Sequence, residues 1–134
     1  MFMVSGLAVE MGNQMGEAVN TICGSAAVLQ GWTGTPPADI TDPDDGSQII
    51  NIALNNPAFG TVSSMTQNLN GSTDDTDTEA GTVTYWRLKT SGGTTVFQWT
   101  EGDGFLTDDP VFADGDTCHL VNIALGFNIT PGEN

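Results

Sequence analysis

The pattern of apolar and polar positions gives its strongest strand signal over residues 81–99. Two β-rich runs, 81–90 and 94–99, flank Ser91-Gly92-Gly93, which reads as a hairpin turn. A period of two places Val83, Tyr85, Arg87 and Lys89 on one face and Thr84, Trp86 and Leu88 on the other. The second set reads as core. The first reads either as another packed layer or as a contact surface.

A helical period precedes this hairpin. Over 5–23, Leu7, Met11, Met15, Val19 and Ile22 recur every three to four residues, with Ser5 as a cap and Gly24-Ser25 as a stop. Gly6, Gly12 and Gly16 each weaken such a helix by about 1 kcal/mol relative to Ala, so it needs packing to hold. It reads either as a helix lying on its own domain or as an arm that docks on a neighbouring subunit.

Strands are predicted at 26–32 and 47–54, with shorter ones at 58–63 and 66–69. A long terminal strand over 118–130 carries an odd-numbered apolar row, Val121, Ile123, Leu125, Phe127 and Ile129. Thr33-Gly34-Thr35-Pro36-Pro37 ends the first strand. The acidic stretches 39–46 and 70–79 read as loops, the latter as mobile, because it has no apolar anchor before Ala80. One domain over 1–134 follows, a 5–23 helix or arm and a 26–130 β-domain. The expected fold is mainly β, a small β-sandwich or jelly-roll-like barrel with one N-terminal helix.

Composition narrows the function more than the fold. The 17 glycines and 18 threonines suit strands and turns. Net charge is −15, and Arg87 and Lys89 are the entire basic complement. Two cations cannot build a phosphate-binding surface, so no nucleic-acid partner is expected, and no anionic membrane surface either. Opposite charges are therefore what Arg87 and Lys89 must meet, either as local carboxylates across strands or as an acidic partner such as a neighbour's loop. Arg87 has the planar fork that grips carboxylates in pairs.

Candidate chemistry is sparse. The single histidine, His119, neighbours Cys118 in a predicted strand, so the two side chains point to opposite faces and do not form a nucleophile–base pair. Cys23 and Cys118 read as buried free thiols, and one His with two Cys lacks zinc spacing. Asp42-Pro43-Asp44-Asp45-Gly46 begins like a calcium loop, but Gly46 stands at the fifth position and Ala53 at the twelfth. No cofactor is expected, with Ca²⁺ at the acidic loops the one weak candidate. The first residues lack the basic region and apolar run of a secretory leader, and no stretch has the length of a membrane span.

Several segments, in order, resemble small structural proteins of tailed bacteriophages. They are the N-terminal helix with Gly24-Ser25-Ala26-Ala27, the run Trp32 to Ala38, Asn-Pro-Ala-Phe-Gly at 56–60, Gly-Thr-x-x-Tyr-Trp-Arg-Leu at 81–88, and Gly-Gly-Thr-Thr-Val-Phe-Gln at 92–98. The chain departs from that pattern at Trp99-Thr100-Glu101 and in its strongly acidic loops. The resemblance implies a capsid decoration (cement) protein, non-enzymatic, made in the host bacterial cytoplasm and carried on the virion exterior. Its partner would be the major capsid protein, with homo-oligomers on the particle. Candidate contacts are Arg87, Lys89 and Tyr85 on the hairpin, and Leu7, Met11 and Met15 on the helix. Two other classes stay open: a tail- or fibre-associated component, and a calcium- or carbohydrate-binding β-sandwich.

Overall fold

The computed structural model describes the backbone of residues 2–63, 66–102, 109–120 and 123–126, with side chains from Glu10 onward. The chain is mainly β, with one helix near the N-terminus and an antiparallel sheet. Helix α1 spans Phe2–Cys23. It begins before Ser5, so Ser5 lies within it and is not its cap. Gly24 ends it in the left-handed region (φ 74°), its amide donating to the Asn20 carbonyl at 3.0 Å.

Strands β1 (Val28–Trp32), β2 (Gln48–Ala53), β5 (Tyr85–Lys89) and β6 (Thr95–Thr100) form one sheet in the order β2-β1-β5-β6. Strands β3 (Thr66–Asn68) and β8 (Ala124–Gly126) pair as one ribbon, and β4 (Gly81–Thr82) and β7 (Val111–Phe112) as another. The predicted hairpin is therefore real between β5 and β6, turning at 91–93. The 58–63 segment contributes only isolated bridges at Phe59 and Ser63. Of the long terminal strand, Cys118 makes one isolated bridge and Ala124–Gly126 is strand; 121–122 and 127–130 lie outside the described residues.

The sheet register stacks its side chains in rows. Ile52, Leu29, Leu88 and Phe97 lie in one row across the four strands, and Ile50, Gly31, Trp86 and Trp99 in the next. These rows form the core face. Phe59, Phe112, Leu120 and Ile123, from outside the sheet, join the same core cluster. Leu29, Ile52, Trp86 and Leu88 are wholly buried, each stabilising the fold by about 1.5–3 kcal/mol. Gly31 makes room for its row, because a Cβ there would meet Trp86, Ile50 and Val83 at 3.1–3.2 Å.

Two expectations need correction. Val83 does not share a face with Tyr85: it belongs to the core cluster with Trp86 and Leu88. Strict alternation fails because residues 83–84 belong to no strand. There the chain leaves its β4–β7 pairing, Val83 N–H donating to the Pro110 carbonyl and Thr84 N–H to that of Trp32, and enters β5. The 70–79 loop is also tied down along its length. Ser72 bridges to Leu54 and Asp75 to Cys118, while Thr78 is fully buried and donates from its hydroxyl to the Ala113 carbonyl at 3.0 Å. Its anchors are backbone and hydroxyl hydrogen bonds, which hydrophobic patterning does not register.

Candidate functional site

On the face of β5 opposite the core, Tyr85, Arg87 and Lys89 all point under the 36–46 segment. Arg87 is 2% exposed and Lys89 8%, so these cations are interior groups. Their counter-charge is the chain's own Asp44. Its Oδ1 accepts from Arg87 Nη1 at 2.8 Å, and its Oδ2 accepts from Lys89 Nζ. Arg87 also donates to the Asp42 carbonyl at 2.9 Å, the Asp39 carbonyl at 3.3 Å and Gln98 Oε1 at 2.9 Å. Gln98 in turn donates to the Pro37 carbonyl at 2.8 Å. The planar fork thus reads three separate points of the loop together with the neighbouring strand.

Aromatic rings seal the arrangement. Tyr85 stacks on Trp32 with ring centroids 6.4 Å apart, Lys89 Nζ sits 5.2 Å from the Trp32 centroid, and Arg87 lies 5.9 Å from that of Tyr85. The Tyr85 hydroxyl donates to the Asp45 carbonyl at 2.7 Å and accepts from the Asp45 amide at 2.8 Å. Burial pushes this phenol's pKa up. Satisfaction is incomplete at this face, where Gln30 Oε1 and Trp32 Nε1 are buried without a partner.

The loop can fold back because both its ends are shaped for it. Gly46 adopts φ 82°, and a Cβ there would lie 2.4 Å from the Thr33 carbonyl oxygen. Asp45 Oδ2 accepts from the Thr35 amide at 2.7 Å, and Thr33 Oγ1 from the Ser47 amide at 2.9 Å. Asp39 closes a local turn, its Oδ1 accepting from the Thr41 amide and hydroxyl, both at 2.9 Å. Those bonds, the amide first, hold its carboxyl below the usual carboxylate range. A shallow pocket of about 400 Å³ remains beside Asp44, but the polar atoms of Arg87 and Lys89 within it are already engaged. The hairpin candidates Tyr85, Arg87 and Lys89 are therefore corrected from outward contacts to the inner half of an intramolecular clasp. The signal for Asp44 was the acidic loop itself; its folding onto β5 depends on tertiary contacts.

The helix is held differently. Gly16 is buried against the body, where a Cβ would come within 2.3 Å of Val62 Cγ2, and its carbonyl accepts from Gln67 Nε2 at 3.2 Å. Asn20 pairs with the Phe59 backbone in both directions, donating to its carbonyl and accepting from its amide, each at 2.9 Å. Cys23 completes the docked side. A cleft of about 760 Å³ opens beside these contacts, yet the amides along it are bound to backbone: those of Asn20 and Gln67 fasten the helix, and that of Asn70 donates to the Pro57 carbonyl at 3.1 Å. Gln67 Oε1 is buried there without a partner.

The other helical candidates lie outside this contact. Met11 is 53% exposed, Met15 42% and Ile22 59%. Leu7 falls before the described side chains. Met15, Ala18 and Ile22 form one wall of an apolar groove of about 500 Å³, whose other wall is Phe97, Trp99 and Leu125. Periodicity found Met11 and Met15, but the groove needs β6 and β8 beside the helix, which no local pattern shows.

The remaining chemical groups do not converge. Cys23 and Cys118 are free and buried; burial raises both thiol pKa values, and with nearby Asp75 pushes Cys118 to about 12. His119 is exposed and its Nδ1 lies 2.6 Å from Asp74 Oδ1. Among the described residues, no three His, Cys, Asp or Glu side chains gather as a metal ion would require, and no helix is long and apolar enough to cross a membrane. Comparison with protein families, with curated proteins and with solved structures gives no match to this chain.

Proposed function

We propose that the protein is a non-enzymatic component of a tailed-phage virion. On this reading it binds the outer surface of the capsid and stabilises the shell by bridging neighbouring major capsid subunits. The observation that carries the reading is the outer stripe of α1, a row of large apolar side chains left in solvent beside an apolar groove. Such a surface is suited to holding a macromolecule. The resemblance of several segments, in order, to phage structural proteins supplies the setting.

Binding across subunit boundaries stabilises a shell by mass action, since each added contact favours the assembled state over the dissociated one. The acidic exterior fits a particle surface, because like charge keeps particles apart. Imaging of virions with a labelled antibody against this chain, together with its copy number per particle, tests the reading. Hundreds of copies over the head, and earlier thermal release of DNA from particles stripped of them, are the expected results. Label confined to the tail, or absent from virions, overturns it.

A further inference from the structure

We infer that two copies of this chain pair through their β6 strands, antiparallel about a twofold axis at Gln98, so that the four-stranded sheet of one copy continues into that of the other. The pairing uses no residue of the α1 stripe and stands apart from the capsid reading.

The two edges of the sheet are treated differently. Along an antiparallel strand, successive residues turn their N–H and C=O alternately to one side and the other. On β2 the outward residues are Ile49, Asn51 and Ala53, and the 73–79 segment meets all three. Glu79 N–H donates to the Ile49 carbonyl at 3.0 Å, Asp75 Oδ2 accepts from the Asn51 amide at 2.8 Å, and Thr73 N–H donates to the Ala53 carbonyl at 3.1 Å. Asp74, Asp75, Asp77 and Glu79 also guard that edge with charge. β6 is the opposite edge. Glu101 N–H donates to the Thr84 carbonyl at 2.9 Å, and Trp99 and Phe97, two and four residues back, face Trp86 and Leu88. Gln98 and Thr100 therefore turn their backbone outward. No described segment bonds to them there.

This open edge is also a neutral strip. Residues 90–100 carry neither an ionised side chain nor a proline, in a chain of net charge −15. Charge and proline are the usual guards of an edge strand. Chains of like charge repel, and an uncharged strip is where two copies can approach. With the axis at Gln98, this residue exchanges both backbone bonds with its twin, and Val96 faces the other copy's Thr100. Phe97 falls across from the other copy's Trp99, an aromatic cross-strand pair. Glu101, whose Oε2 accepts from Trp86 Nε1, falls across from Thr95 and away from its twin. A parallel pairing would set the two Glu101 side by side. A strand of another protein would meet the same backbone groups; the aromatic match and the offset of Glu101 favour a second copy.

Sedimentation equilibrium of the full chain tests the pairing. A dimer is expected at about 1 M salt, weakening at about 0.1 M as screening is withdrawn. Amide exchange by NMR locates the contact. The Gln98 and Thr100 amides should exchange about tenfold more slowly in the dimer than in the diluted monomer, while the Asn51 amide, already bonded, is unchanged. Thr100→Pro removes an outward donor and no bond to β5. It should weaken dimerisation about tenfold to a hundredfold, one hydrogen bond being lost on each side of the axis. Met15→Glu should leave the dimer intact. A chain that stays monomeric at millimolar concentration in about 1 M salt would overturn the inference. So would a dimer whose Gln98 and Thr100 amides gain no protection, or one that Met15→Glu dissolves and Thr100→Pro does not. Exchange on the unaltered chain decides even if Thr100→Pro misfolds.

Discussion

The clasp on β5 and the outer stripe of α1 depart from the usual layout of a globular fold in opposite directions. On β5 two cations are inside; on α1 large apolar side chains are outside. The difference lies in where each finds its partner. Arg87 and Lys89 stay buried because one loop of the same chain delivers a carboxylate and two carbonyls to them. Met11, Met15 and Ile22 stay exposed because α1 docks through Gly16, Asn20 and Cys23. A clasp whose cations are met within the chain is a stability element, and on the proposed reading the exposed stripe is the binding element. Composition sharpens the contrast, since a chain with only two cations has used both internally.

Breaking the clasp should have the largest effect on folding. Asp44→Ala leaves two buried cations unpaired and is expected to cost about 3 kcal/mol. That is the low end for a buried pair, because Asp44 keeps 25% of its side chain in water. Urea unfolding measures it, and a loss below about 0.5 kcal/mol would mean the loop does not hold the cations. Detaching the helix comes next. In a free helix Gly16→Ala would gain about 1 kcal/mol from propensity. Against Val62 it should instead destabilise by about 1–3 kcal/mol, so the sign of the change reports whether α1 is docked.

Tyr85→Phe is smaller again. It removes the two hydrogen bonds to Asp45 and should cost about 1–2 kcal/mol. The same residue gives a pH test. Burial raises the folded pKa of Tyr85 above its unfolded value, so the unfolded chain loses this proton first. The contribution is complete below an unfolded pKa of about 10 and is lost as pH rises through the folded value. Cys118 acts with the same sign, from about 8.5 unfolded up to about 12 folded. Ultraviolet titration of the single tyrosine should therefore begin at higher pH in the native than in the urea-unfolded protein, and coincident curves would contradict the burial.

The sheet was the most legible part of this architecture. Runs such as Gln48–Ala53 and Tyr85–Lys89 carry period-two patterns, and Ser91-Gly92-Gly93 marks their turn, so local rules found β2, β5 and β6. Trp86 and Leu88 fall in the core where alternation puts them. Val83 fails the same rule because the chain changes partner strand at 83–84, a tertiary event with no local sign. Thr78 is buried with no apolar neighbour to mark it. Arg87 and Lys89 stood out by composition alone, but their orientation depended on a loop more than forty residues away in sequence. Met11 and Met15 were legible as a stripe, whereas their exposure follows from Gly16 docking the helix by its other side.

On the proposed reading the two regions divide the work, the clasp maintaining the fold and the α1 stripe holding the partner. That division is tested most directly by a charged stripe, Met11→Glu, Met15→Glu and Ile22→Glu together, added to the particles that the proposed function calls for, stripped of this chain. Occupancy by quantitative mass spectrometry and the melting temperature of the free protein are measured side by side. The expected result is near-complete loss of occupancy, with stability changed by no more than about 0.5 kcal/mol per site. Full occupancy by this variant would contradict the assignment of the stripe as the holding surface.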